Sequence, residues 1–234
     1  MALTDSLISY WTMDETSGTR YDSVVATGND LTDNNTVGYG TGIISNGADF
    51  IPANSEYLSH TSNASLQTGD IDFTFAAWFK IDDLNTRAII SKDDGLGTRD
   101  YRITYLAGAL RFYVNASGAT QVASAAAIST GTWYYVVAWH DASANTINIQ
   151  VNNGTVDSAG IGALSAASTN PFLIGANTVG SATNFWDGLI DEVGFWKRVL
   201  TSDERTSLYN SGAGLAYPFG GGPPATPEWY MAFV

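Results

Sequence analysis

The sequence contains no cysteine, which excludes disulfides and thiolate metal sites and leaves its redox compartment unmarked. Positive charge is scarce: 10 lysines and arginines stand against 23 acidic residues, a formal net charge of −13. The basic residues are scattered, with no run that lines a phosphate groove, which argues against nucleic acid as a partner. An acidic surface suits solubility, cations or basic partners without selecting one. Only two histidines occur, His60 and His140, far apart and read as surface or strand-edge residues with no Ser or Cys nucleophile motif beside them. Long apolar runs are missing, since the stretches near Trp78 and Trp133 are strand-length, so no membrane span is expected. Residues 1–6 carry neither a basic n-region nor an apolar h-region, so no secretory signal is visible.

What the sequence does contain is material for a core: 44% hydrophobic and 12% aromatic residues within 234. Short Val, Ile, Phe, Tyr, Trp and Thr segments recur between Gly, Asn, Asp and Ser clusters, the pattern of many strands joined by tight turns. Strands are expected near 6–13, 48–51, 57–60, 72–81, 87–92, 101–105, 109–114, 132–140, 146–151, 171–174 and 189–197. The connections are too short for crossover helices, so the pairing is antiparallel and two packed sheets are the simplest closure. The fold class is therefore all-β, a two-sheet antiparallel sandwich with one short C-terminal helix.

Two-residue alternation assigns faces. Phe73, Phe75, Ala77, Phe79 and Ile81 share one, with Thr74, Ala76, Trp78 and Lys80 on the other; Ile147, Ile149 and Val151 alternate with Asn148, Gln150 and Asn152. The run from Trp133 to Trp139 is apolar on both faces and predicts a central strand whose outer face is covered or used. Thr201 and Glu204 form a capping box for the helix, with Asp203 in its first turn and Gly212 as its stop. The sandwich is assigned residues 1–217. Residues 218–234 are a Gly/Pro linker and an apolar tail, in which Trp229, Tyr230, Met231 and Phe233 either dock on a partner or fold back on their own domain.

Ordered blocks across residues 6–212 resemble a known family. They are Tyr10-Trp11-Thr12-Met13-Asp14-Glu15-Thr16-Ser17-Gly18 with Asp22-Ser23, Gly47-Ala48-Asp49-Phe50 with Glu56-Tyr57-Leu58, Phe73 to Lys80, Gly131-Thr132-Trp133-Tyr134, and Asp187-Gly188-Leu189-Ile190-Asp191-Glu192-Val193. Together they are similar to the laminin-G-like domains of the concanavalin-A-like lectin/glucanase superfamily. The resemblance implies a jelly roll, often with bound calcium, and a face or rim used for glycans or protein partners. It does not imply one function, because the fold hosts lectins, adhesion modules and hydrolases.

Hydrolases of that superfamily carry three acids at alternate positions of one strand, and no such array occurs here. Asp191 and Glu192 are adjacent, and adjacent strand residues point to opposite faces, so they are not expected to form a facing pair. Alternation places Asp191 beside Leu189, Val193 and Phe195, where an ionised carboxylate needs donors or a cation. Calcium, as a structural ion, is one answer, with Asp49, Asn54 and Glu56 as ligands in the loop that matches the family's cation region and backbone carbonyls completing the shell. A Lys or Arg partner, or a turn cap, is the other. Trp78, with Tyr101, Tyr105 and Tyr113 on neighbouring strands, would line a glycan groove or simply pack.

The sequence thus supports a non-catalytic surface or virion structural protein, decorating or fibre-associated, possessing protein-subunit partners through its tail. A calcium-assisted carbohydrate-binding module is the alternative, and a glycoside hydrolase the weakest. Localisation follows at a virion or cell surface.

Overall fold

A computed structural model of the chain describes residues 1–94, 99–115, 121–179 and 181–220. In chain order the strands are β1 (Leu7–Trp11), β2 (Thr32–Asn34), β3 (Gly38–Thr41), β4 (Asn46–Phe50), β5 (Tyr57–His60) and β6 (Phe73–Ile81). They continue with β7 (Arg87–Lys92), β8 (Tyr101–Leu106), β9 (Ala109–Val114), β10 (Gln121–Ala123), β11 (Trp133–Asp141) and β12 (Thr146–Val151). The last are β13 (Val156–Gly160), β14 (Phe172–Ile174), β15 (Asn177–Val179), β16 (Ser181–Thr183) and β17 (Gly188–Trp196), before helix α1 (Ser202–Tyr209).

Every pairing is antiparallel. The larger sheet has the order β13-β12-β11-β6-β17-β4-β3, and the smaller β10-β9-β8-β7-β14-β5-β2, with β15 and β16 a separate hairpin. On the side away from β6, the first half of β17 pairs with β4 and the second half with β1. The two-sheet sandwich expected from alternation and the jelly roll implied by the resemblance are found, and α1 is the one α-helix among the described residues. Six short strands, β2, β3, β10, β13, β15 and β16, are not visible in the sequence, because their three to five residues are mostly polar or small, whereas β14 is equally short but wholly apolar.

The predicted faces hold. Phe73, Phe75, Ala77, Phe79 and Ile81 of β6 lie between the sheets with Val136 and Ala138 of β11 and Ile147, Ile149 and Val151 of β12. Ala76, Trp78, Tyr135, Val137, Trp139 and Trp196 form a second apolar layer on the outer face of the larger sheet, beneath α1 and the segment 213–219. Tyr209 stacks on Trp78 at 5.8 Å, and the Arg205 guanidinium lies 4.3 Å from the Trp139 ring. Tyr217 and Phe219 pack on Tyr10 at 5.3 and 5.0 Å. Burying each large side chain contributes roughly 1.5–3 kcal/mol, so this cover is part of the fold rather than a loose flap. Packing also runs past the expected boundary at residue 217, to Phe219.

Even the polar face of β12 is not wet: Asn148 and Gln150 are buried, and Gln150 Oε1 accepts from Arg205 Nε at 2.8 Å. The capping box forms as read, Thr201 accepting from the Glu204 amide and Glu204 from the Thr201 amide. The helix stops earlier than Gly212, at Asn210, which takes the left-handed conformation (φ 46°) that asparagine tolerates.

Candidate functional site

The larger sheet carries one irregularity that sequence periodicity does not show. Between Asp191 and Gly194 the register of β17 against β6 shifts, and Glu192 takes φ 49°. An extra residue in a strand resets which face the following side chains occupy. Val193 and Phe195 consequently point between the sheets, while Asp191 and Glu192 both point outward. Two expectations are corrected together: Asp191 does not share a face with Val193 and Phe195, and Asp191 and Glu192 are not on opposite faces.

Both carboxylates are sealed. Asp191 Oδ2 accepts from the amides of Ile43 and Ile44 at 2.8 and 3.1 Å, in the turn joining β3 to β4. A Cβ on Gly42 would stand 2.5 Å from Asp191 Oδ2 and from the Asn46 carbonyl, so the turn descends this closely only with glycine there. Asp191 Oδ1 is buried with no hydrogen-bond partner. Glu192 Oε2 accepts from the Tyr10 hydroxyl, and Asp14 lies near enough to act on both acids. Burial dominates, pushing Asp191 up to about 7 and Glu192 up to about 8; the amides of Ile43 and Ile44 partly offset it at Asp191, and the Tyr10 hydroxyl at Glu192. The pair is two neighbouring acids in a closed site, where burial favours the protonated form of each.

The proposed calcium ligands do not assemble. Asn54 Nδ2 donates to Glu56 Oε1 at 2.8 Å, and Glu56 Oε2 accepts from the Ile51 amide at 2.7 Å, so these two close the turn after β4. Asp49 stands opposite Leu189 on β4, raised by burial and by Asp82. Among the described residues no three or more His, Cys, Asp or Glu side chains are arranged to hold a metal ion. The residues therefore do not fit the calcium site read from sequence, and Asp191 accepts from two backbone amides in place of a cation.

The four aromatic residues read as a groove are buried. Trp78 lies under Tyr209; Tyr101 is 0% exposed and its hydroxyl donates to the Leu66 carbonyl at 2.9 Å; Tyr105 belongs to the inter-sheet core. Tyr113 lies under Arg99 and Arg102, whose guanidinium carbons are 5.1 and 4.5 Å from its ring centre. None presents a ring face for a sugar. Alternation identifies the face a side chain takes but not whether that face is covered. His140, too, is fully buried rather than at the surface, with Nδ1 bonded to the Ile71 carbonyl at 2.7 Å. The tail residues Trp229, Tyr230, Met231 and Phe233 lie outside the described residues.

The surface aromatic is elsewhere. Tyr21 is 62% exposed, the most of any aromatic residue among those described, and stands with Val25 (89%) at a concavity of about 310 Å³ lined by Tyr21, Asp22, Val25, Gly28 and Asp30. Asp22 builds this loop: Oδ1 accepts from the amides of Tyr10 and Val24, and Oδ2 from the Thr27 hydroxyl and the Asn29 amide. Tyr21 is not among the residues that pattern or resemblance singles out. Its only signal is a tyrosine in a polar connection, outside any alternating run.

No helix among the described residues is long and apolar enough to cross a membrane. A laminin-G family model, described as the concanavalin A-like lectin/glucanases superfamily, matches residues 52–204. No curated protein matches the chain. Among solved structures, the binding domain of Paraclostridial Mosquitocidal Protein 1 superposes with a TM-score of 0.72 at 15% identity, over 90% of this chain and 53% of that one. The botulinum neurotoxin serotype C1 binding domain gives 0.63 at 14% identity, over 88% and 52%. Trypanosoma rangeli sialidase in complex with sialic acid gives 0.62 at 16%, over 90% and 34%. The chain spans about half the length of those binding domains and about a third of the sialidase, and at these identities the likeness is one of fold. With the family match over residues 52–204 and the two-sheet jelly roll that surrounds it, the chain belongs to the concanavalin A-like lectin/glucanases superfamily.

Proposed function

We propose that this chain is a non-catalytic, carbohydrate-binding module of the adhesion type. The observation that supports it is the state of the Asp191 and Glu192 pair. Glycoside hydrolysis needs two carboxylates on either side of a sugar bond, roughly 5–10 Å apart and open to substrate. These two are buried under the β3–β4 turn and against Tyr10, closed to a sugar, and burial raises both above the ordinary carboxylate range. Binding without turnover fits the superfamily and this closed face. In affinity gels cast with soluble polysaccharides the chain should be retarded by at least one, with no reducing ends released from it. Reducing-end release that disappears in Glu192→Gln would overturn the non-catalytic reading.

A second reading, assembly at a virion or cell surface, is favoured by the tail sequence, where a Gly/Pro segment leads into Glu228-Trp229-Tyr230-Met231-Ala232-Phe233-Val234. A chain ending at Gly220 keeps Tyr217 and Phe219 against Tyr10 and should fold. Light scattering should then find the full chain associated and the shortened chain monomeric. Equal masses would sink this reading.

A further inference from the structure

We propose that the concavity at residues 21–30 is the glycan site, with Tyr21 as the platform on which the pyranose ring of a neutral sugar stacks. The assignment rests on the carbohydrate-binding reading above and gives it a location and a ligand class.

The loop is built before any ligand arrives. The amides of Tyr10, Val24 and Asn29 donate to Asp22, the one Thr27 hydroxyl proton is shared between Asp22 Oδ2 and the Ile8 carbonyl, and Glu15 Oε1 accepts from the Tyr21 amide at 2.8 Å. Gly28, at φ 61°, has nothing within 4 Å of where a Cβ would lie, so the dish stays open on that side. A preformed loop that holds an aromatic ring toward solvent loses little ordering entropy when it binds. The volume, about 310 Å³, sits at the lower end of the roughly 300–1,000 Å³ range of small-molecule sites and suits one or two sugar rings.

Chemistry selects the ligand. Tyr21 and Val25 offer apolar surface to the C–H face of a pyranose. Asp30 is exposed and uses Oδ1 to accept from the Asp22 amide at 2.8 Å, leaving its other oxygen to accept from a sugar hydroxyl. No cation lines the dish. Arg20, next in sequence, is buried with its Nη2 on the carbonyls of Val37 and Gly38. A uronate or sialate would meet only carboxylates here, in a chain of net charge −13, so the site takes neutral sugars. Tyr39 is also exposed, at 53%, but it does not line this concavity.

The test uses the full chain in affinity gels containing soluble β-glucan, galactomannan or xylan, with polygalacturonate as the anionic probe. Wild type should be retarded by a neutral polysaccharide and not by polygalacturonate. Tyr21→Ala should weaken that retardation about tenfold, the loss of one stacking contact, and Tyr21→Trp should restore it. An unchanged melting temperature for Tyr21→Ala, expected for so exposed a residue, ties the loss to the site. Retardation of Tyr21→Ala within twofold of wild type overturns the site while the lectin reading stands. Retardation by polygalacturonate alone overturns the neutral assignment. No retardation of wild type by any of these polysaccharides overturns the lectin reading and the site with it.

Discussion

Glu192→Gln is expected to melt well above wild type at pH 9 and at nearly the same temperature at pH 5. Burial raises Asp191 to about 7 and Glu192 to about 8, whereas both titrate near 4 in an unfolded chain. Below about pH 4 the folded and unfolded chains carry the same protons on these groups. As pH rises from there the unfolded chain releases them first, so stability is full at low pH and is lost as pH climbs through 7 and 8. A shift of this size in either group corresponds to roughly 4 kcal/mol, and the two are coupled, so their losses do not simply add. For a domain of this length the expected fall in melting temperature between pH 5 and pH 9 is on the order of 10 °C.

The groups facing the pair explain why nothing rescues it. Tyr10 donates to Glu192, while Asp14 adds like charge. Arg205 acts on Tyr135, whose buried hydroxyl has no hydrogen-bond partner, and not on either acid. Glutamine keeps an acceptor for the Tyr10 hydroxyl and removes the ionisation, so the variant should regain about 2–4 kcal/mol at pH 9. Calorimetric melts of both proteins at pH 5, 7 and 9 decide it. If Glu192→Gln declines with pH as steeply as wild type, Glu192 does not hold a proton in the folded chain.

The second large effect is expected at Arg198. Its guanidinium grips Glu204 in a two-pronged contact of 2.6 and 2.8 Å, and it donates to the carbonyls of Asp5 and Ala2 at 2.7 and 3.0 Å. One buried cation, two residues beyond β17, therefore joins the N-terminal segment to the first turn of α1. Arg198→Ala leaves Glu204 largely buried without its cation and two carbonyls without a donor, a loss of about 3–5 kcal/mol. Urea unfolding should show it as a lower midpoint. The double variant Arg198→Met with Glu204→Leu should recover much of the loss, because removing both charges ends the penalty of an unpaired one. A single variant within 1 kcal/mol of wild type would mean that Glu204 reaches solvent.

Much of this molecule is legible in the sequence because alternation and caps are local. Two-residue periodicity in β6 and β12 identifies the residues that lie between the sheets, and the double-sided apolar run at Trp133 to Trp139 marks a central strand whose outer face is covered or used. Thr201 and Glu204 announce the helix start through a contact three residues long. Tertiary structure alone decides the rest. The bulge that turns Asp191 and Glu192 to one face has no signature in residue type, since a glutamate at φ 49° is held there by its surroundings. Asp191 is closed over by Ile43 and Ile44, 148 and 147 residues away, and Trp78 by Tyr209 from the C-terminal helix. Tyr21 is left open because Asp22 gathers the following loop onto itself and onto the Tyr10 amide. Periodicity reports which way a side chain points. Whether it ends in the core, under a lid or against water depends on which distant segment packs over it.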